Sequence, residues 1–380
     1  MPSRIFKRLA ILSEDSLDRY RNKTAVGLLR FRPQDVVCVI DGRNAGQDVG
    51  DLTGVGHGIP IVGEISQALA LGIEWVVIGV ATPGGILPQG LRPQLYEAIR
   101  NRVGVVSGLH DTLHDPNLIA LAARYAVELV NLRRTDDEDN RHISTGRARK
   151  TKAWRVLTVG TDANIGKTTT SLALYEYLKL RKIRSRFAAT GQDGILVTGQ
   201  GVCIDRCISD FAGGAAERLV IEQAKGAEVL VIEGQNSIMS PCYSGTALSL
   251  LHGSCPDAMI LCHAPSRTTL RHTDVAMPTL THFIELYQAM LWPLHPGRVV
   301  GIALNTLDMD QKEAEAALAE AARSTGLPCA DIVREGDAGA ARLAAAALAP
   351  AVAANRLRAE VLTAAAGQAK HAHRTARTAS

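Results

Sequence analysis

Short, nearly continuous apolar runs separated by amphipathic stretches set the pattern of this chain. VVCVI (36–40), WVVIGV (75–80), VGVVSG (103–108) and VELVNL (127–132) are rich in β-branched residues and end at Gly, Asp or Asn. Runs of that kind predict strands buried on both faces, as in a parallel sheet. ISQALALG (65–72), RPQLYEAIRN (92–101) and PNLIALAARY (116–125) fall between them with helical spacing. A second alternation begins after residue 150. RVLTVG (155–160), SRFAAT (185–190), EVLVIEG (228–234), AMILCH (258–263) and RVVGIALNT (298–306) predict strands. Residues 167–182, 311–324 and 337–366 predict helices, the first turning Leu172, Tyr175, Leu178 and Leu180 largely inward. Alternating β and α elements predict doubly wound α/β layers. RTDDEDNRHISTGRARKTKAW (134–154) is polar, mixed in charge and without apolar period, which reads as a linker or mobile loop. The expected organisation is a first domain with linker over 1–150, a second over 151–366, and a basic flexible tail over 367–380.

Composition agrees with two folded domains. The 380 residues are 46% hydrophobic and 21% charged, enough apolar material for large cores and too much for a disordered chain. A net charge of +4 and 4% aromatic residues argue against a nucleic-acid partner. No charge-free apolar run approaches ~18 residues, so no membrane partner is expected. The N-terminus lacks the long apolar core of a secretory signal. Seven scattered cysteines suggest reduced thiols and a cytoplasmic location. Cys203 and Cys207 have no second pair nearby, which speaks against zinc. The alanine-rich C-terminal helices either form a subunit interface or cover the sheet; a homo-oligomer is expected.

The sharpest chemistry lies in GTDANIGKTTT, Gly160 to Thr170, between a predicted strand and a predicted helix. That context suits a phosphate-binding loop. Gly166 permits a tight turn, loop amides face phosphate oxygens, and the helix adds its positive dipole end. Gly160, Thr161, Asp162, Asn164, Gly166, Lys167, Thr168 and Thr169 are the candidate cofactor-binding residues. Lys167 would bridge phosphate oxygens. Thr168 would ligate Mg²⁺ if the ligand were a nucleoside triphosphate, with Glu233, at the end of an apolar strand, as the second metal residue. Five residues separate Gly160 from Gly166, against four in the simplest pattern. The spelling resembles that of dethiobiotin synthetase and the cobyrinic acid amidating synthetases, in which the residue matching Asp162 helps hold metal and substrate.

Other segments supply acid, base and cation. TGQDGILVTGQG (190–201) offers Gln192 and Asp193 as substrate-binding groups at a strand exit. Asp210 and Glu217 share one helix face, turned either to the cleft or to solvent. His263 follows an apolar strand, at the edge where doubly wound folds place ligands. Arg267 and Arg271, four apart, are suited to clamp a substrate carboxylate. Tyr243 can donate to an oxyanion. In the first half IDGRNAGQDVGD (40–51) lacks the glycine spacing of the dinucleotide fingerprint. GVATPGGILP (79–88) and VVSGLHDTL (105–113) are further strand exits, the latter carrying His110 and Asp111.

IDGRNAG, IPIVGEISQAL, VVIGVATPGG, VVSGLHD, GTDANIGKTTT, TGQDGI, DFAGGAAE, IEGQNS, YSGTALSLLHG, PDAMILCHAPSRTTLR and GIALNT together resemble a P-loop family long catalogued as a domain of unknown function. The resemblance spans residues 36–306. It implies an α/β chain with a Rossmann-like N-terminal domain and a P-loop NTPase-like, dethiobiotin-synthetase-like C-terminal domain. Asn164, Asp193, Asn236, Cys242 and Ala264 depart from the pattern. Members with an assigned activity are D-amino-acid N-acetyltransferases, acting for example on D-glutamate in D-amino-acid metabolism. The resemblance therefore implies acetyl transfer from acetyl-CoA to the amino group of a small amino-acid substrate, with the loop on the CoA phosphates. His263 is the expected general base, Glu233 its runner-up and Tyr243 the oxyanion donor. The alternative is a Mg-ATP-dependent synthetase or kinase-like enzyme that activates a carboxylate.

Overall fold

The computed structural model describes residues 4–13, 17, 22–80, 82–111, 113 and 115–366. The proposed tail over 367–380 lies outside the described residues. Two compact units emerge, one made of 1–135 with 191–206 and the other of 136–190 with the chain from 207 onward.

The first unit contains β1 (Leu9–Leu12), α1 (Lys23–Phe31), β2 (Val36–Ile40), α2 (Val49–Thr53), β3 (Ile61–Val62) and α3 (Ile65–Ala70). It continues with β4 (Trp75–Ile78), α4 (Arg92–Arg100), β5 (Gly104–Ser107), α5 (Pro116–Tyr125) and β6 (Leu129–Asn131). All pairings are parallel, in the order β3-β2-β1-β4-β5-β6. That is the doubly wound order of dinucleotide-binding folds. The central strand is β1, LAIL, all four residues buried. It follows Lys7 and Arg8 and is followed by Ser13 and two acidic residues, so the sequence shows no extended apolar run there. Asp115 caps α5 by accepting from the Asn117 amide at 2.9 Å, and Pro116 occupies the first helical position.

The second unit opens with β7 (Trp154–Gly160), α6 (Lys167–Leu180) and β8 (Ser185–Ala188). The chain then contributes α7 (Gln192–Thr198) to the first unit before returning with α8 (Ser209–Gln223). There follow β9 (Val229–Ile232), α9 (Ser244–Ser254), β10 (Ala258–His263), α10 (Leu280–Leu291), β11 (Arg298–Leu304) and α11 (Gln311–Thr325). The unit ends with β12 (Cys329–Ala330), α12 (Asp337–Ala353) and α13 (Ala359–Ala366). This sheet is also all parallel, ordered β12-β11-β10-β7-β9-β8. The strand order reverses beside β7, buried along its whole length, and the crevice at such a reversal is where ligands bind.

Four expectations are corrected. The segment over 134–154 is not free: Thr145 and Arg147 donate backbone and side-chain hydrogen bonds to the fully buried Glu217 of α8. Glu217 therefore faces neither cleft nor solvent. On α6 Leu180 is 67% exposed, and the buried aromatic is Tyr177, whose hydroxyl donates to Ala365 O at 2.7 Å. The C-terminal helix predicted over 337–366 is two helices, separated after Ala353. No helix among the described residues is long and apolar enough to cross a membrane.

Candidate functional site

The site of the second unit forms at the carboxyl ends of β7, β8, β9 and β10. Residues 161–166 join β7 to α6. Gly166 has φ 101°, a left-handed conformation that glycine adopts without strain, and Asn164 is left-handed at φ 55°. The amides of Asn164, Ile165, Gly166, Thr168 and Thr169 make no hydrogen bond to any described residue. Alternating left-handed residues with free amides make an anion-binding concavity, and the start of α6 adds its dipole. A side chain at Gly160 would meet the Lys167 Cδ and Nζ at 2.9 Å, so the glycine lets Lys167 fold back along the loop. Lys167 is 6% exposed, and its ammonium donates to the Asp162 carbonyl at 2.5 Å.

The loop is braced from three sides. The fully buried Asp162 carboxylate accepts from the Ala163 amide (2.7 Å), the Arg271 amide (2.8 Å) and Arg267 Nη1 (2.9 Å). Arg267 also donates to Ala163 O at 3.2 Å. Thr161 donates its amide to Cys262 O at 3.1 Å, and its Oγ1 lies 2.9 Å from His263 Nδ1. On the other flank Glu233 accepts from Thr168 Oγ1 (2.8 Å) and from the Thr190 amide (2.9 Å). Behind the strand, the Tyr287 hydroxyl donates to Gly160 O at 2.8 Å and accepts from the Gly160 and Ile238 amides at 3.3 Å.

Burial, then the neighbouring Arg267 cation, pushes the His263 imidazole down to about 4. It is neutral at ordinary pH. Burial pushes the Tyr287 phenol up to about 12, so its hydroxyl keeps its proton.

Of the expected site residues the structure gathers Gly160, Thr161, Asp162, Asn164, Gly166, Lys167, Thr168, Thr169, Glu233, His263 and Arg267 around this loop. Arg267 is committed to Asp162, and the Arg271 guanidinium has no partner among the described residues. Tyr243 is 43% exposed, just before α9 on the chain leaving β9. Gln192 and Asp193 belong to the first unit, where Asp193 accepts from Thr24 Oγ1 at 2.6 Å. Tyr287 and Thr190 were not singled out from the sequence. Tyr287 sits in an ordinary amphipathic helix, and only the fold brings it behind β7. A cavity of about 320 Å³ lined by Gln288, Trp292 and Arg298 opens at the opposite, amino-terminal edge of the sheet.

Residues 142–343 match the family described as "Domain of unknown function (DUF1611_C) P-loop domain", and residues 42–135 match "Domain of unknown function (DUF1611_N) Rossmann-like domain". The chain belongs to the DUF1611 family. A crystal structure of a DUF1611 family protein from Anabaena variabilis is 37% identical, with a TM-score of 0.84 over 90% of this chain and 99% of that one. A protein from a Pseudoalteromonas species named D-glutamate N-acetyltransferase is 39% identical over 277 residues, 72% of this chain and 81% of its own. One from Tritonibacter scottomollicae with the same name is 36% identical over 325 residues, 85% of this chain and 93% of its own. This DUF1611 chain thus shares its two-domain α/β architecture with a solved member, and its sequence with two named relatives.

Proposed function

We propose that the protein is an N-acetyltransferase that moves an acetyl group from acetyl-CoA to the amino group of an amino acid, with D-glutamate the first substrate to test. Two relatives at 36–39% identity over most of their length are named D-glutamate N-acetyltransferase. The observation carrying the loop's role is the row of unbonded amides beside the buried Lys167. This is a donor set suited to the diphosphate of CoA.

In this reading Lys167 and the amides of Gly166, Thr168 and Thr169 hold phosphate oxygens. The free Arg271 guanidinium meets an anionic end of a ligand. The amine nitrogen attacks the thioester carbonyl carbon, the C–N bond forms, the C–S bond breaks, and CoA leaves as its thiol after taking a proton. His263 accepts the proton lost by the amine. Its Nδ1 is engaged by Thr161, which leaves Nε2 to act, in the tautomer whose Nδ1–H donates to the threonine. An imidazole held near 4 is a weak base, and bound phosphate raises it by favouring the charged form. Glu233 orients Thr168 and the Thr190 amide rather than serving as base, and Tyr243 is the candidate oxyanion donor.

A second reading follows from the Thr168–Glu233 pair, whose oxygens suit Mg²⁺ in an ATP-dependent synthetase. The test is an amino-acid panel offered acetyl-CoA without nucleotide, or MgATP without acetyl-CoA. Free thiol in the first arm supports acetyl transfer. ADP or AMP in the second, with no thiol in the first, replaces it by the synthetase.

A further inference from the structure

The carboxyl edge of the first unit's sheet carries a second group of chemically active side chains. Its doubly wound order is the one that binds dinucleotides, yet the segment after β1 reads SEDSLDRYRN, without glycine. The carboxylate at the end of β2, which would meet a ribose, is already used: the fully buried Asp41 accepts from Ser13 Oγ (2.8 Å), the Leu17 amide (2.9 Å) and the Asn44 amide (3.1 Å). The sequence after β1 lacks the glycines of a dinucleotide's phosphate turn, and the ribose partner is already committed.

What the edge offers is a mixed-charge cluster with one buried acceptor left unmet. Arg133, 8% exposed in its side chain, donates Nε to Gly108 O at 2.7 Å and pairs through Nη1 with Asp205 Oδ2. His110 Nε2 lies 3.8 Å from that same oxygen. The other oxygen, Asp205 Oδ1, is buried and has no hydrogen-bond partner. Gln192 is 7% exposed; its stem lies against Gly108, with Cγ 2.8 Å from where a β-carbon there would stand. The Gln192 amide bonds to no described residue. Buried polar groups are almost always paired, so a buried acceptor left open at the sheet edge, beside the Gln192 amide, points to a ligand. Two cations face the same place. Arg206 is exposed and has no side-chain partner among the described residues, and Lys23 holds Asp193 only at 3.7 Å. Burial first, then Arg133, with Arg206 and Lys23 after it, holds the His110 imidazole below its usual range against the opposing pull of Asp205.

The geometry points to a binding site for an amino-acid zwitterion in the first unit, with the ammonium on Asp205 Oδ1, a carboxylate on Arg206 and Lys23, and the Gln192 amide fixing orientation. A plain anion would leave Asp205 unmet, and a plain cation would meet Arg206 and Lys23. The choice of D-glutamate as probe rests on the transferase reading; the site does not.

The test is calorimetric titration of the full-length protein with D-glutamate and with glutarate, which keeps both carboxylates and lacks the ammonium. D-Glutamate should bind at least tenfold more tightly than glutarate. Gln192→Leu and Arg206→Ala should each weaken D-glutamate binding at least fivefold, while Lys167→Ala changes it less than twofold. Arg206 is exposed and the glutarate comparison needs no variant, so a failure of Gln192→Leu to fold leaves the outcome decided. Equal affinity for the two ligands, affinity unchanged in both variants, or no binding by the parent protein overturns the site. Thiol release from acetyl-CoA, followed in parallel, judges the transferase reading separately. Release without this mutational pattern removes the site alone, and the pattern without release removes the transferase alone.

Discussion

Arg267 Nη1 lies 2.9 Å from Oδ2 of Asp162, a carboxylate with no exposure of its own. The arginine therefore neutralises a buried charge inside the loop and is not a free clamp for substrate. Removing one partner of a buried pair leaves an uncompensated charge. Arg267→Ala should lower stability by on the order of 3 kcal/mol, read as a fall in melting temperature. Its effect on turnover should appear in the KM for the phosphate-bearing ligand. A rise confined to the amino-acid KM would return Arg267 to the acceptor.

Lys167→Ala should weaken binding of CoA at least tenfold, measured by calorimetry. The ammonium lies buried against the loop, so its loss removes the cation from the amide cradle. Unchanged affinity would take the loop out of the site.

The fold of both units was legible because buried parallel strands are short apolar runs, and nine of the twelve strands lie within such runs. β3 and β12, at two residues each, were not, and β1 is made a strand by its pairing with β2 and β4 rather than by local pattern. The loop was legible because its chemistry is contiguous, from Gly160 to Thr170. Its braces were not. The hydroxyl of Tyr287 reaches Gly160 across 127 positions of sequence, and Thr190 reaches Glu233 across 43. The pairing of Arg267 with Asp162 was not visible for a related reason. Spacing shows that two arginines can share a direction and says nothing of a carboxylate 105 residues earlier.

Tyr287→Phe keeps the ring and removes the one hydroxyl that joins Gly160 to Ile238. The buried backbone groups it leaves unpaired should cost about 1–3 kcal/mol of stability. CoA affinity should fall severalfold while the pH dependence of turnover stays in place. A variant equal to the parent in both melting temperature and affinity would make Tyr287 a packing residue only.

Chelation separates the two readings at the Thr168–Glu233 pair. Acetyl transfer needs no metal, because the thioester is already activated. Thiol release should be unaffected by EDTA, and Glu233→Gln, which can still accept from Thr168 and Thr190, should keep most of it. Loss of activity in EDTA with recovery on added Mg²⁺ would assign the pair to a metal.

His263 gives the pH prediction its sign. Its folded value of about 4 lies below the ordinary 6.5, so between those values the unfolded chain binds more protons than the native protein. Stability from the neutral imidazole is complete above about pH 6.5 and is lost as the pH falls toward 4, by roughly 3 kcal/mol in all. His263→Gln, which keeps a polar atom facing Thr161, should lack that acid-side loss when melting temperature is followed against pH. Bound CoA should move the histidine the other way. Phosphate charge beside the ring favours the imidazolium, so titration by NMR should show the His263 value rising when CoA is added, and the acid limb of turnover should follow the raised value. If the histidine titrates identically with and without CoA, phosphate does not bind beside it, and the proton from the amine has to be taken elsewhere.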